Sequence, residues 1–421
     1  MVIDIANFNF DGGSGGGGKP ALLQEKTATI VQNGSQTITP DEGFDGMSSV
    51  QINAAITGGS SAIDFSSIGY SDEFSAEVNS KFNNDVAYSK SLYDAWNPSS
   101  TSAYRLYSGD TKIVFAPNID TSNVDNMNGM FYGCSRLTSV PLFDTSKVTS
   151  IGNMFYGCTS ITSVPLFDTS KVNSIGSMFD GCISLKSVPL FDTSNVTSMI
   201  QTFVNCYSLT SVPEFNTSNV TRMTNMFNGC SNITSVPLFD TSNVKEMSYM
   251  FDGCSRITTV PSFNTSNVTE MACMFRYCSS LTSVPELDTS NVSNFNNIFN
   301  GCDNLKTIEG ISFKSFSDST MRYSYLVGYS NNTSIRKAVF KDIGYQSTAV
   351  QFNTGCISNW GVNTDEIPDA RQSLIDSLIT YSFDRASAGY PTCTITLSTN
   401  TKALLTEDEK AQIAAKGFTI A

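Results

Sequence analysis

Histidine is missing from the 421 residues of this sequence, and tryptophan occurs only twice. Without histidine the chain cannot build a Ser-His-Asp or Cys-His nucleophile, and it lacks the commonest zinc-binding side chain. No pair of carboxylates stands apart from the repeat pattern described below, so a glycoside-cleaving pair is not indicated either. We therefore predict a protein that is not an enzyme, with no catalytic or metal-binding residues and no cofactor.

Basic residues are also scarce. Lys and Arg total 25 against 38 Asp and Glu, which gives a formal net charge of −13. Binding to nucleic acid or to an anionic membrane needs a basic patch, and the sequence contains no basic run. It has no apolar stretch of about 18 residues, and its start, "MVIDIANFNFDGG", lacks the basic and apolar segments of a secretory signal. We expect no nucleic-acid partner, no membrane insertion and no signal peptide.

Cysteine reveals how the chain is organised. Eight of the eleven cysteines follow one another at a constant step of 24 residues, which is typical of a leucine-rich-repeat solenoid. Coils that stack at about 4.8 Å place equivalent side chains in one column, so these cysteines are predicted to form a buried, reduced, structural ladder. Redox chemistry is the alternative, but the chain has no C-x-x-C motif and no histidine to activate a thiolate. The ladder is Cys134, Cys158, Cys182, Cys206, Cys230, Cys254, Cys278 and Cys302, and Cys273, Cys356 and Cys393 lie off it.

Apolar residues recur at the same 24-residue step. The segment "LTSVPLF" alternates like a short strand, "VTSIG" reads as a second strand, and Met-Phe followed by "YGC" indicates one helical turn closed by Gly157. Prolines such as Pro141 cannot donate to a ladder and are predicted where the chain bends. The predicted fold is a repeat solenoid of 24-residue leucine-rich coils with short parallel strands and short helical turns. In one coil the predicted interior positions are Leu137, Val140, Phe143, Val148, Ile151, Met154 and Phe155.

The "DTSN" segment of each coil has two interpretations. Its first residue is Asp in six coils and Asn in two. A column of carboxylates offers the oxygen ligands that calcium prefers. Asx side chains also cap their own backbone two residues on, and the exchange of Asp for Asn without other change favours turn capping. The column is Asp120, Asp144, Asp168, Asp192, Asn216, Asp240, Asn264 and Asp288.

The flanks of the array differ from it in composition. Residues 71–96 carry a helix signal that is predicted to cap the first coil, and Thr406 with Glu409 matches a capping box. The C-terminal strand and helix patterns are predicted to extend the same sheet as irregular coils. The predicted domains are 1–20, a strand and glycine-rich linker; 21–57, a small β anchoring module; 62–111, a helical N-terminal cap; 112–310, an eight-coil solenoid; and 311–421, irregular α/β C-terminal coils and cap.

The repeat "LTSVPLFDTSKVTSIGNMFYGC" at 137–158 resembles the BspA-like leucine-rich repeats of the treponemal class and their mycoplasma lipoprotein variant. The resemblance covers residues 112–310. Members of that family are mostly surface adhesins or, in phages of gut bacteria, virion proteins, and the fold itself implies no reaction. The segment "PDEGFDGMSSVQI" and the ending "LTEDEKAQIAAKGFTIA" resemble modules of tail-associated phage proteins.

These resemblances imply a virion protein on the tail or capsid surface, and first of all a tail-fibre or receptor-binding component that presents a rigid solenoid face to a host glycan or protein. Its N-terminal region is expected to bind other virion proteins, and a homotrimer is expected by analogy with phage fibres. Two alternatives stay open. One is a structural protein of the tail or capsid without receptor binding, and the other is a bacterial cell-surface adhesin.

Two columns are candidates for a ligand face. The residue after each Met-Phe pair varies between coils, whereas one strand position carries hydroxyl side chains interrupted by lysine. Recognition of a repeating ligand would explain both patterns, and β-propensity or simple solvation explains them too. The varying column is Tyr132, Tyr156, Asp180, Asn228, Asp252 and Arg276, and the strand column is Thr138, Thr162, Lys186, Thr210, Thr234, Thr258, Thr282 and Lys306.

Overall fold

The structure is a computed structural model that describes residues 84–85, 87–89, 91–314, 335–343 and 360–421, together with six strand backbones outside these ranges. Its contacts divide the chain into two compact units. The first unit is Met1–Val172 with Gly181–Phe191, and the second is Asn173–Asp180 with Asp192–Ala421. Both units contain stacked coils.

Four strands near the N-terminus form one sheet. They are β1 Val2–Asp4, β2 Glu25–Ile30, β3 Ile38–Pro40 and β4 Ser49–Ala54. Their order is β1-β4-β2-β3, in which β4 pairs parallel with β2, while β1 and β3 pair antiparallel at the two edges. The strand of the predicted first segment thus joins the sheet of the predicted β module, and the glycine-rich linker at 11–18 lies outside the described residues.

Parallel backbone pairing between residues 24 positions apart joins successive coils within each unit. In the first unit Asn126 bridges Ser150, and in the second Ser198 bridges Arg222. The predicted second strand is only one bridge long, because a residue with left-handed φ follows it, as at Asn153 (φ 53°). The strand predicted over "LTSVPLF" is regular in one described coil alone, the one that pairs with the segment "LKTIEGI" at 305–311, where the proline and its missing N–H are absent. That strand is β5, Ser283–Val284.

The predicted helical turn before each cysteine is wrong. Met130 N–H donates to Met127 O within its own coil (3.1 Å), but Phe131 N–H donates to Met154 O of the next coil (2.9 Å). Successive N–H groups thus donate alternately to their own coil and to the next coil. They do so because residues such as Gly129 (φ 65°) adopt left-handed backbone, which a right-handed helix cannot contain. The segment is a series of tight turns that shares its hydrogen bonds between two coils.

Stacked phenylalanine rings fill the interior of the coils. In the first unit the rings of Phe131 and Phe155 lie 5.9 Å apart between centroids, with an interplanar angle of 1°. In the second unit the Phe227 and Phe251 centroids are 5.7 Å apart. All four side chains are 0% exposed. Within each unit, phenylalanine rings therefore pack on the equivalent rings of neighbouring coils, and such aromatic pairs add to the stabilisation from burial.

The eight ladder cysteines lie inside the coils, all 0% exposed and none in a disulfide bond. Each thiol donates to the backbone carbonyl 27 residues earlier, that of Tyr107 in the first coil and of a phenylalanine in the others, over Sγ–O distances of 2.9–3.1 Å. Burial raises the pKa of the Cys134 thiol to about 12 and holds the pKa of Cys158, Cys254 and Cys278 well above the ordinary value. These thiols are therefore protonated donors at neutral pH.

Helical residues precede the first coil at the described positions between 84 and 95. Next to them, Trp96 Nε1–H donates to the Asp120 carbonyl oxygen (2.8 Å), and the Tyr88 hydroxyl donates to the Asp110 carboxylate (2.6 Å). The end of the segment predicted as a cap thus contacts the first coils of its own unit. The start of that segment, before residue 84, lies outside the described residues.

The C-terminal strands lie in two parallel sheets. The expectation that they extend the sheet of the array holds for the strands at 307–312 and 337–341, which pair onwards from β5, and is wrong for the other four, which form a second sheet. One sheet has the order β5-β6-β8 and the other β11-β10-β9-β7. From β6 to β9 successive strands alternate between the sheets, because each irregular coil contributes one strand to each of two sides. The strands are β6 Thr307–Ser312, β7 Thr320–Arg322, β8 Lys337–Lys341, β9 Ala349–Gln351, β10 Cys393–Thr396 and β11 Phe418–Ile420.

Helices α1 (Ala370–Ile375), α2 (Thr399–Ala403) and α3 (Glu407–Ala415) accompany these sheets, and α1 continues into a π-helical turn. The predicted capping box of α3 is confirmed. The Thr406 side chain accepts from the Glu409 N–H (3.3 Å), and the Glu409 carboxylate accepts from the Thr406 N–H (2.8 Å). Two backbone donors of the first helical turn are satisfied in this way.

Alkaline pH is expected to destabilise the stacked coils. In the unfolded chain a thiol loses its proton near pH 9.0, whereas the folded chain keeps Cys134 protonated up to about pH 12. Because the folded pKa is the higher one, this stabilisation is complete below pH 9 and is lost as pH rises, by at most about 1.4 kcal/mol per pH unit for each thiol. Urea midpoints measured between pH 7 and 10.5 should therefore fall above pH 9.

A double variant provides the control for this effect. Replacement of Cys230 and Cys254 by alanine removes two titrating thiols, so its urea midpoint should fall less steeply above pH 9 than that of the parent. A parent whose midpoint stays constant over the same interval would contradict the protonated ladder.

Candidate functional site

The varying column after the Met-Phe pairs is not an exposed face, which corrects the expectation drawn from its variability. In the first unit Tyr132 and Tyr156 are half-buried, and their rings stack with centroids 4.4 Å apart. In the second unit Asn228 is half-buried, while Asp180 and Asp252 are 9% and 5% exposed. Burial raises the pKa of Asp180 to about 6. The physical reason is the short distance between coils, which places each side chain of a column on its neighbour.

Arg276 contacts residues of its own and of the preceding coil. Its Nε and Nη2 donate to the two carboxylate oxygens of Asp252 over 3.0 and 2.5 Å. The guanidinium carbon lies 5.4 Å from the ring centroid of Tyr249 and 5.2 Å from that of Tyr277. A forked ion pair with aromatic rings beside the guanidinium is held in one orientation. The Arg276 side chain is 34% exposed and that of Asp252 only 7%.

Tyr277 stands where the repeat normally has glycine. The equivalent residue is Gly in six of the eight coils, and Tyr277 keeps the left-handed backbone of the position, with φ 59°. That conformation costs a non-glycine residue on the order of 1–2 kcal/mol. The ring is 55% exposed and covers Gly301, where an added Cβ would lie 2.5 Å from Tyr277 Cδ1. Our reading of the sequence missed Tyr277, although a Tyr in a glycine column is a visible signal.

The hydroxyl column is exposed only in part. Thr138 is buried, because its hydroxyl donates to the Val114 carbonyl oxygen (3.0 Å), which corrects its assignment to an exposed face. Thr162 and Lys306 are half-buried, and the Lys306 ammonium donates to the Glu366 carboxylate at 2.6 Å. The exposed members are Lys186, Thr210, Thr234, Thr258 and Thr282.

A row of exposed leucines runs along the first unit. Leu142, Leu166 and Leu190, which we call the leucine row, are 65%, 57% and 57% exposed. The row could not be predicted from the sequence, because all four residues of "VPLF" are apolar. In the structure Val140 and Phe143 are buried and Leu142 is exposed, but a uniformly apolar segment shows no such alternation. Apolar stripes on a protein surface mark contact sites more often than single exposed residues do.

The Asp and Asn column caps its own turns. Asp144 Oδ1 accepts from the Ser146 N–H (3.0 Å), and Asn216 Oδ1 accepts from the Ser218 N–H (3.2 Å) in the same way. Hydrogen bonds from the Ser146 side chain and backbone hold the pKa of Asp144 below its ordinary value. This geometry supports turn capping rather than calcium binding. Within the described ranges no group of three or more Cys, Asp or Glu side chains is placed to hold a metal ion, and no helix there is long and apolar enough to cross a membrane.

Stacked 24-residue coils place the chain among the repeat solenoids. The family described as "Mycoplasma protein of unknown function, DUF285" matches residues 101–212 and 203–313. These matches together cover half of the chain, and the chain belongs to this family. A comparison with curated protein sequences found no match.

Two solved structures are similar to the chain. A leucine-rich cell surface protein from Faecalibacterium prausnitzii A2-165 is 17% identical over 60% of this chain and 80% of that one, with a TM-score of 0.32. A leucine-rich repeat protein from Bacteroides ovatus ATCC 8483 is 15% identical over 76% of this chain and 86% of that one, with a TM-score of 0.25. Likenesses with TM-scores this low carry no argument, and the fold rests on the coordinates of the chain itself.

Replacement of Asp144 separates capping from calcium binding. Asp144→Asn should leave the free energy of unfolding nearly unchanged, because Asn216 makes the same cap in its own coil. Asp144→Ala should lower it by about 1 kcal/mol, because the Ser146 N–H loses its acceptor. Urea titrations of both variants, with and without calcium, provide the measurement. A calcium-dependent midpoint that disappears in Asp144→Asn would contradict turn capping.

Proposed function

We propose that the chain is an adhesion protein that presents the leucine row, on a rigid repeat scaffold, to a ligand on a cell surface. The exposure of 57–65% at three coils in succession supports this proposal most directly. One exposed leucine is ordinary on any protein, but leucines repeated at one-coil spacing form a continuous apolar stripe that water solvates poorly. Contact with an apolar part of a ligand would remove that stripe from water.

The scaffold suits this role because it is ordered before the ligand arrives. Backbone bridges, stacked phenylalanines and thiol donors join the coils of each unit. A surface that is already ordered loses little conformational entropy on binding. Leu142 and Asp144 are both exposed on either side of buried Phe143, so a row of carboxylates accompanies the leucine row. The ligand expected there is apolar in part and tolerates negative charge.

We infer further that the protein is a virion component, a tail-fibre or receptor-binding protein of a phage. The resemblance of residues 21–57 and of the C-terminal ending to modules of tail-associated phage proteins supports this inference. In this proposal the N-terminal region binds other virion proteins, the coils of 112–310 face the host, and the assembly is a homotrimer. Catalysis has no part in this role.

Adsorption competition tests the proposal. The purified full chain is added to host cells before the phage, and free phage is counted after adsorption. The parent should reduce adsorption, and the triple variant Leu142→Ser, Leu166→Ser, Leu190→Ser should not, because serine keeps the exposed position and removes the apolar contact. Ser262 occupies the equivalent position of another coil, so the variant should fold.

The matched control is the double variant Lys147→Asn with Lys171→Asn, which changes a neighbouring exposed column to the Asn present at Asn195. It should compete like the parent. Protein that is found in purified virions by mass spectrometry but does not compete would instead identify an architectural component. Absence from virions together with display on the bacterial surface would identify a cellular adhesin.

A further inference from the structure

One coil of the second unit departs from the repeat at neighbouring positions. Its turn segment reads "MACMFRYC" at 271–278, where the preceding coil reads "MSYMFDGC". Arg276 of this segment contacts two side chains of the preceding coil, Tyr249 and Asp252. We call Tyr249, Asp252, Arg276 and Tyr277 the tyrosine–arginine cluster.

The cluster combines an exposed tyrosine with fixed polar groups. The Tyr277 ring is 55% exposed, and the Arg276 guanidinium lies 5.2 Å from its centroid. Arginine has five N–H donors, of which Asp252 engages two, so three donors are not committed to that carboxylate. The ion pair and the flanking ring of Tyr249 fix the guanidinium before any ligand binds.

We propose that the tyrosine–arginine cluster is a binding subsite for an uncharged sugar residue of a surface polysaccharide. A pyranose ring has an apolar C–H face that packs on an aromatic ring, and its hydroxyls accept from guanidinium N–H groups. Asp252 cancels the charge of Arg276, so the cluster offers hydrogen bonds without a net charge to attract an anion. A cationic ligand gains no ion pair there either, because Asp252 is already paired with Arg276 and its side chain is only 7% exposed.

The backbone of Tyr277 gives separate support. Left-handed φ at a bulky residue is strain, and strain of this kind gathers at functional sites. Glycine would relieve the strain at that position and is the residue that six other coils carry. The proposed subsite is distinct from the leucine row, which lies in the first unit, and it adds a second kind of ligand contact to the proposed adhesion.

The variant Tyr277→Gly tests the subsite in the full chain. It restores the repeat residue and fits the left-handed backbone, so its thermal unfolding midpoint should be at least that of the parent. Binding is measured on an array of bacterial polysaccharides of known composition, with neutral and acidic ones side by side, and then by interferometry on the strongest neutral polysaccharide. The parent should bind neutral polysaccharides, and Tyr277→Gly should raise the dissociation constant about five- to tenfold.

Tyr207→Ser is the matched control, because Tyr207 is 46% exposed and four other coils carry Ser at its position. Its dissociation constant should equal that of the parent. Three outcomes would overturn the proposal: no binding to any neutral polysaccharide, binding confined to acidic ones, or an unchanged dissociation constant in Tyr277→Gly. None of them decides the adhesion proposal, which the triple serine variant of the leucine row tests separately.

Discussion

Each coil depends on its neighbour for hydrogen bonds that it cannot make alone. A coil contains neither a helix nor a long strand, so its backbone groups are satisfied only when another coil lies 24 residues away in register. The carbonyl of Phe227 shows the principle: it accepts from the Cys230 N–H of its own coil (3.0 Å) and from the Cys254 thiol of the next (3.1 Å). Cysteine suits this place because it is small and apolar, yet it carries a weak donor.

The same register determines which side chains are neighbours on the surface, because an exposed side chain lies beside the equivalent residue of the next coil. A column of identical residues is stable when they can stack, as the Tyr132 and Tyr156 rings do at 4.4 Å. Charged residues need a partner of opposite sign, which Arg222 finds in Glu246 at 3.0 Å. The carboxylates of the Asp column instead accept hydrogen bonds from their own turns. Variation between coils therefore follows from pairing along a column as much as from contact with a ligand.

Features that depend on spacing alone could be predicted from the sequence. The 24-residue step of the cysteines placed them in one interior column, the exchange of Asp for Asn indicated a turn cap, and Thr406 with Glu409 indicated the start of α3. Features decided by contact between coils could not. The segment before each cysteine has the local composition of a helical turn, but bonds such as Phe131 N–H to Met154 O decide its conformation. The leucine row could not be predicted either, because the residues of "VPLF" are all apolar and the segment does not indicate which of them faces water.

Left-handed residues occur in two columns of the turn segment, and comparison of the columns explains why Tyr277 is informative. In the column of Tyr249 and Cys273 only one coil has glycine, yet all eight coils are left-handed there. A non-glycine residue is ordinary in that column, since bonds such as Cys273 N–H to Asn296 O (2.9 Å) hold the backbone in place. In the column of Tyr277 six of the eight coils have glycine, and the exceptions are Asn205 and Tyr277. Asparagine tolerates left-handed backbone because its side chain bonds locally, which a tyrosine side chain does not do. The repeat imposes the left-handed backbone on this column, and the Tyr277 N–H donates to the Asn300 carbonyl oxygen (2.6 Å), so the strain arises from having tyrosine at this position. The exposed ring beside Arg276 is the feature that glycine would not supply.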